Sequence, residues 1–187
     1  TPVFLLGSDR FGRDIFARIL AGMRVSLTIG LVSVAISLII GTVLGTISGY
    51  YGGTMDLILQ RVVEFLQGFP RIPLWMALAA ALPPELSSIK VFFGMMALLA
   101  LLNWTGLARQ IRSKVLAYRQ EDYVTAARAM GERDSMIMLT HLVPACTSHI
   151  LVIATLNIPQ MTLVESSLRF FGLGIPPPMT SLGALLQ

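Results

Sequence analysis

The sequence predicts an all-α fold, a polytopic helical bundle that spans a membrane. Apolar residues make up 55% of its 187 residues and charged residues only 13%, about half the share of a typical soluble domain. Four long apolar segments alternate with turn-forming or charged stretches, which is the pattern of successive membrane crossings. This composition argues against a soluble enzyme, a disordered tail and a nucleic-acid-binding protein.

No linker or composition shift divides the chain, so residues 1–187 are treated as one transmembrane domain. The 14 basic and 10 acidic residues are dispersed, which indicates loop charges rather than a nucleic-acid-binding face. The single cysteine, Cys146, lies in an apolar run and predicts neither a disulfide nor a zinc site. The chain starts at Thr1 and shows no signal peptide, and we expect it to be a fragment of a longer protein.

The first span is predicted over residues 25–49, a run without a single charge that exceeds the roughly 20 residues needed to cross a bilayer. Residues 1–24 precede it as an amphipathic lead-in, because apolar side chains recur between Ile15 and Met23 at helical spacing. Within the span, a small residue at every fourth position predicts a close helix–helix contact. The alternative is the general tolerance of membrane helices for glycine. The positions are Ser33, Ser37, Gly41, Gly45 and Gly49.

The second span is predicted over residues 57–82, although its charge-free part is too short to cross alone. Its polar residues are spaced so that they share one helical face. Two interpretations stay open: the face lines a water-filled pathway, or it serves structural pairing such as Arg61 with Glu64. Pro70 and Pro73 predict a kink in this helix. The polar residues are Gln60, Glu64, Gln67 and Arg71.

The third span is predicted over residues 89–108 and the fourth over 142–164, with a break expected at Pro159. Polar residues in these spans join the polar face of the second as candidates for the lining of a translocation pathway. They are Asn103, Asn157 and Gln160.

Four spans place residues 1–24, 83–90 and 165–187 on one side of the membrane, and 50–61 and 109–141 on the other. The two sides carry nearly equal numbers of basic residues. The positive-inside rule therefore does not decide the orientation.

The polar segment 109–141 is too charged to enter lipid, yet its apolar residues are patterned. Gly131 stands where a left-handed residue would end one short helix, and Asp134 or Ser135 is placed to cap a second helix over 136–139. The two helices form an elbow outside the bilayer, which either docks on a partner or is simply solvated. The face of the first helix is formed by Tyr123, Ala126, Ala127 and Met130.

The run from Asp122 to Gly131, followed nine residues later by His141-Leu-Val-Pro144, resembles the EAA loop of permease subunits of bacterial ABC importers. The family pattern is Glu-Ala-Ala, three residues, Gly, nine residues, Ile, any residue, Leu and Pro. This chain keeps it at Ala126, Ala127, Gly131 and Pro144. It departs from it at Thr125, His141 and Val143.

Four further segments resemble the dipeptide/oligopeptide branch of that family and extend the match over nearly the whole chain. The resemblance implies the fold of a type I ABC importer permease with a cytoplasmic EAA loop. Members of this branch usually have six spans, so this chain is expected to lack the first and last. The segments are 7–14, 49–53, 69–70 and 165–174.

By this resemblance, 109–141 is a cytoplasmic coupling loop, while 1–24 and 165–187 are external. The loop's helices are expected to sit in a groove of an ATPase subunit, whose closure rocks the spans. The residues expected to couple are Asp122, Tyr123, Ala126, Ala127, Met130, Gly131 and Pro144.

The resemblance also implies the partners: a second homologous permease subunit, two ATP-binding subunits, an extracytoplasmic solute-binding protein and the lipid of a bacterial inner membrane. Di- or oligopeptides are the expected substrates, and nickel or another small solute is the alternative. Nucleic acid is not expected to bind.

No catalytic or phosphate-binding motif occurs in the sequence, including GxxxxGK[ST], HExxH and GxSxG. We therefore expect no enzyme activity, metal or cofactor in this chain, with ATP and Mg in the partner ATPase. An ion-driven transporter that uses Glu64, Arg71 and Glu165 as charge carriers remains an alternative. An intramembrane enzyme is a further one, although the spacing of Glu64 and Glu165 does not mark them as a pair.

Overall fold

The computed structural model of the chain describes residues 5–8, 12–81, 83 and 87–170. The larger part of the expected external segment 165–187 lies outside these residues, as do parts of the lead-in and of the turn before the third span. The regular secondary structure of the described residues is helical, with an isolated bridge between Ser8 and Asp14, so the all-α prediction is confirmed. Its elements are α1 (Ile15–Tyr51), α2 (Gly53–Gln67), α3 (Arg71–Ala80), α4 (Ser88–Tyr118), α5 (Asp122–Ala129), α6 (Asp134–Met136), a π-helical turn (Ile137–Leu142), α7 (Val143–Ala145) and α8 (Thr147–Phe170).

Three of the described helices have the length and apolar composition to cross a membrane: α1, α4 and α8 up to Leu168. α1 runs without interruption for 37 residues, because no proline interrupts it. The described part of the expected lead-in from Ile15 onward and the expected span, 25–49, thus belong to one continuous helix.

The region of the second expected span, 57–82, is two helices rather than one kinked helix. α2 ends at Gln67 and α3 begins at Arg71, because Pro70 has no N–H to continue the first helix and disfavours helical geometry before it. Pro73 falls in the first turn of α3, where a missing N–H costs nothing. At 15 and 10 residues, each helix is shorter than a membrane crossing.

The third expected span, 89–108, continues as helix for another ten residues, so the loop expected at 109 begins only after Tyr118. The apolar side chains of Ile111 and Val115 lie on this extension and are fully buried. Their burial stabilises helix that the charge pattern alone indicated as loop.

The fourth expected span, 142–164, differs in both its start and its course. A helical stretch begins at Asp134 and passes through the π-helical turn to Ala145, before α8 begins at Thr147. α8 continues through Pro159 without a break, contrary to expectation, because membrane helices tolerate the loss of one backbone donor.

The chain folds as two compact units, each assembled from separate stretches. The first comprises the described parts of 1–33, 71–99 and 158–187. Its packed side chains include Ile29, Met95 and Leu99. Ser26 Oγ donates a hydrogen bond to Glu165 Oε2 at 2.7 Å.

The second unit comprises 34–70 and 100–157, and it contains the elbow. Its core is a continuous cluster of apolar side chains from α1, α4, α5 and the π-helical turn. The buried members are Tyr50, Leu107, Ile111, Val115, Val124, Ala127, Ile137, Leu142, Cys146 and Ile153.

Candidate functional site

The short helix α5 is anchored to the second unit by two side chains on one flank. Val124 is fully buried and Ala127 is 2% exposed, and both belong to the core cluster with Ile111 and Val115. The sequence pattern placed Ala127 on the free face and overlooked Val124. Their i, i+3 spacing was a signal that could have identified this buried pair.

The rest of the predicted face lies at the surface. Tyr123 is 44% and Met130 is 81% exposed, with Ala126 also exposed between them. Partial burial and the nearby Glu121 carboxylate raise the pKa of Tyr123 above its usual value. The exposed face of α5, meaning Tyr123, Ala126 and Met130, is apolar and surrounded by charged residues.

Two other predicted coupling residues, Asp122 and Pro144, are also exposed. Asp122 is exposed in the first turn of α5, and its carbonyl oxygen accepts a hydrogen bond from Thr125 Oγ1 at 3.0 Å. Pro144 is exposed within α7.

Gly131 ends α5 in the left-handed conformation that the sequence predicted, with φ +81°. Its N–H donates to Arg128 O and that of Glu132 donates to Ala127 O, both at 3.1 Å. This pair of bonds is the Schellman motif, which satisfies carbonyls at the end of a helix. Residues other than glycine and asparagine are strained at such a φ.

The elbow is attached to the end of α1 by polar contacts that the sequence did not reveal. Arg119 Nη1 donates to Gly49 O at 3.1 Å and to Tyr50 O at 3.2 Å, so a cation closes the C-terminus of α1. Tyr50 Oη donates to Asp134 Oδ1 at 2.6 Å. Asp134 therefore binds Tyr50 of α1 and does not cap the second helix as expected. The N-cap residue of α6 is Arg133, whose side chain makes no capping hydrogen bond.

His141 lies where the EAA pattern has isoleucine. Its Nε2 is 3.0 Å from Glu132 Oε2, and its ring centroid is 6.3 Å from that of Tyr123. The departure from the pattern thus adds a link between the turn after α5 and the π-helical turn. It restrains the elbow at the point where the chain returns to the bundle.

A polar network joins α1, α2 and α4 inside the second unit. Arg112 binds Asp56 through two hydrogen bonds of 2.5 and 2.6 Å, and Ser48 Oγ donates to the same carboxylate at 2.5 Å. These bonds, chiefly those from Arg112, lower the pKa of Asp56 below its usual value. Gln60 Nε2 extends the network to Ser48 Oγ at 3.2 Å.

The expected polar face of the second span is not continuous. Gln60 is held by Ser48, and Glu64 pairs with Arg61 at 3.1 Å with both side chains exposed. These contacts favour structural pairing for both residues. Gln67 is half-buried at the end of α2, whereas Arg71 is exposed on α3.

The remaining pathway candidates are distributed over both compact units. Asn103 and Asn157 are half-buried in the second unit, and Gln160 is exposed in the first.

The stripe of small residues on α1 lies against α4. In the first unit, Ser33 Oγ donates to Met96 O at 3.2 Å. In the second unit, Ser37 Oγ donates to Ala100 O at 3.0 Å, and three glycines follow where a side chain would collide. A Cβ would lie 2.9 Å from Leu107 Cδ2 at Gly41, 2.5 Å from Ala108 O at Gly45 and 2.8 Å from Arg112 O at Gly49.

Comparison with known proteins places this architecture in a family. Residues 41–187 match the family described as the binding-protein-dependent transport system inner membrane component. The chain belongs to this family. Its membership agrees with the expected bacterial inner-membrane location and with a non-enzymatic component that has no cofactor of its own.

Three relatives show the branch of the family. The chain is 37% identical over 98% of its length to the dipeptide transport system permease protein DppC of Lactococcus lactis. It is 38% identical over 97% to the glutathione transport system permease protein GsiD of Pectobacterium atrosepticum. It is 34% identical over 96% to the oligopeptide transport system permease protein OppC of Bacillus subtilis. The chain spans 52%, 58% and 57% of these three proteins, respectively.

Proposed function

We propose that the chain forms part of the permease subunit of an ATP-driven importer, and that the exposed face of α5 couples it to a separate ATPase subunit. The observation that carries this proposal is the division of α5 into a buried flank, Val124 and Ala127, and an exposed apolar face. Exposed apolar side chains clustered on a charged loop are typical of a protein–protein contact. Family membership supplies the transport context.

Force on α5 would reach the bundle through its attachments. Val124 and Ala127 pack against α4, while Tyr50 and Arg119 link the elbow to the end of α1. Because α1 and α4 are closely packed along the small-residue stripe, a displaced elbow moves the ends of both helices together. Closure of two ATP-binding subunits would thus rock the spans as rigid bodies and expose the pathway alternately to each side.

The proposal includes the partners that such an importer needs. These are a second homologous permease subunit, two ATP-binding subunits that hold ATP and Mg, and an extracytoplasmic solute-binding protein. The elbow then faces the cytoplasm. For the pathway we retain Gln67, Arg71, Asn103, Asn157 and Gln160, and we assign Gln60 and Glu64 to structural pairing because of their contacts.

We propose short peptides as the substrates, since the relatives are named for the transport of dipeptides, oligopeptides and glutathione. Nickel or another small solute is the competing candidate. Uptake of a labelled dipeptide, of glutathione and of Ni²⁺ by vesicles that contain the complete transporter separates these options. Uptake of Ni²⁺ alone would contradict the peptide assignment.

The coupling assignment is tested with Met130→Asp, which places a charge in the centre of the proposed contact. We expect ATP hydrolysis stimulated by the binding protein to fall about tenfold or more, because a charge buried at an interface without a partner costs at least ~1.4 kcal/mol. Met130→Leu keeps the apolar surface and is the matched control. Equal stimulated hydrolysis in the two variants would contradict the assignment.

A further inference from the structure

A basic cavity of about 460 Å³ opens in the second unit beside the end of α1 and the start of α5. Its lining contains two guanidinium groups and no carboxylate, so it suits an anion. The lining residues are Tyr50, Tyr51, Arg119, Gln120, Thr125 and Arg128.

Both arginines are held in place with donors left over for a ligand. The two carbonyl bonds of Arg119 both use Nη1, so its Nε and Nη2 groups remain for other acceptors. Arg128 lies over the ring of Tyr50, 5.4 Å from its centroid. Asp134 accepts the hydrogen bond of the Tyr50 hydroxyl group and is not among the residues that line the cavity. Two preorganised guanidinium groups are well suited to a phosphate.

An apolar groove of about 490 Å³ runs along α1 in the same compact unit. Its α1 residues run from Leu38 to Ile47, and its opposite wall comes from Met138, Leu139 and Ile150. On α1, Tyr50 follows Thr46 and Ile47 by one helical turn, so the groove and the cavity lie in succession on one face. From Leu38 to Tyr50 this face is about 18 Å long, slightly more than half of the ~30 Å hydrocarbon core of a bilayer.

We propose that the cavity and the groove together bind one anionic phospholipid, with its phosphate at Arg119 and Arg128 and an acyl chain along α1. α1 is long and apolar enough to cross the membrane, and tyrosines such as Tyr50 and Tyr51 are enriched at the lipid–water boundary. Basic pockets at the ends of membrane helices are known to bind anionic headgroups. The site thus offers basic side chains for the phosphate of the lipid and an apolar groove for its acyl chain.

The helical register separates this site from the proposed ATPase contact. At about 100° per residue, Thr125 and Arg128 lie on the flank of α5 roughly opposite Tyr123, Ala126 and Met130. The buried Val124 and Ala127 lie between the two flanks. An ATPase subunit on the exposed face of α5 would therefore leave the basic cavity to the lipid.

The headgroup half of the site is tested on the purified full-length complex in nanodiscs of phosphatidylcholine with added phosphatidylglycerol. Retained lipids are counted by native mass spectrometry. We expect selective retention of phosphatidylglycerol, weakened about fivefold by Arg128→Gln, which corresponds to ~1 kcal/mol for one basic residue near an anionic lipid. Arg133→Gln removes an exposed arginine of the same loop outside the cavity and should change nothing. Equal loss in both variants, or no selectivity over phosphatidylcholine, overturns the proposal.

The acyl half is tested with Val43→Trp, which fills the groove at a half-exposed position. We expect it to weaken the retention of phosphatidylglycerol, and we expect millimolar inorganic phosphate not to displace the lipid. Displacement by phosphate, together with no effect of Val43→Trp, identifies a free-phosphate site and overturns the proposal. Loss of the ATPase subunit from Arg128→Gln with unchanged lipid identifies a partner carboxylate and also overturns it. Because subunits and lipids are counted in one spectrum, this result is independent of the coupling assignment.

Discussion

At the scale of single residues, the structure distinguishes charged side chains that stabilise the fold from charged side chains that are exposed and contribute little to stability. Asp56 and Arg112 form a partly buried ion pair, with side chains 16% and 27% exposed, whereas those of Glu64 and Arg61 are 53% and 75% exposed. Removing one partner of a buried pair leaves an uncompensated charge, whereas an exposed pair contributes little. The sequence marked Glu64 as notable and passed over Asp56, because spacing on one helix does not show what another helix supplies.

We therefore expect Asp56→Asn to destabilise the protein by roughly 1–3 kcal/mol, and Glu64→Gln to change its stability by less than about 0.5 kcal/mol. Thermal unfolding in detergent measures both. Comparable shifts in the two variants would show that burial does not distinguish these pairs.

The same contact predicts a dependence on pH. Because the pKa of Asp56 is lowered in the folded state by Arg112, its contribution to stability is complete above the ordinary carboxyl value of about 4. It is lost as the pH falls through the lower, folded value. The difference in stability between wild type and Asp56→Asn should thus shrink below pH ~4, as measured by unfolding at several pH values. A difference that stays constant down to pH ~2 would contradict this linkage.

Gly131 provides a second test at this scale, because its φ of +81° is unfavourable for most side chains although no atom lies near an added Cβ. Gly131→Val should lower the free energy of unfolding by about 1–2 kcal/mol and disrupt the turn that ends α5. Gly131→Asn should be much closer to wild type, since asparagine tolerates the left-handed region. Co-purification of the ATPase subunit and the unfolding temperature report on both variants, and identical behaviour would show that the turn geometry is unimportant.

At the scale of secondary-structure elements, the contact between α1 and α4 depends on three glycines that have no room for a side chain. Gly45→Ala would place a Cβ 2.5 Å from Ala108 O, and we expect it to cost about 1–3 kcal/mol through overpacking. Gly106→Ala on α4 meets nothing within 4 Å and should stabilise the helix by about 0.5–1 kcal/mol. We expect Gly45→Ala to lower the unfolding temperature and Gly106→Ala to raise it. Shifts of the same sign in the two variants would contradict the close packing of α1 against α4.

The small-residue stripe on α1 shows which helix contacts sequence periodicity can predict and which it cannot. Spacing of four on one helix predicted a close contact, but α4 was not identifiable as its partner from that spacing. The separation of α2 from α3 was expected only as a kink, because the chain's return to helix at Arg71 depends on packing beyond the prolines. Contacts such as Ser26 with Glu165, separated by 139 positions, have no signature in local sequence.

At the scale of the whole molecule, the amino-acid composition was sufficient to predict the membrane fold, and the EAA motif was sufficient to predict the family. The elbow was foreseen as two short helices, and α5 is the first of them. The attachment of the elbow to Tyr50 was not foreseen, because Tyr50 is 69 positions from Arg119 and 84 positions from Asp134. The central proposal is that α5 transmits the motion of an ATPase subunit to the membrane-spanning helices.

The most direct measurement is a thiol cross-link from Met130→Cys to the ATPase subunit in membranes that contain the complete transporter. The native Cys146 is buried, and Ser87→Cys, next to the start of α4, provides an exposed control at the opposite end of that helix from the elbow. We expect Met130→Cys to cross-link to the ATPase subunit, with a yield that changes when ATP is added, and Ser87→Cys not to cross-link to it. A cross-link from Ser87→Cys, or none from Met130→Cys in an assembled complex, would contradict the central proposal.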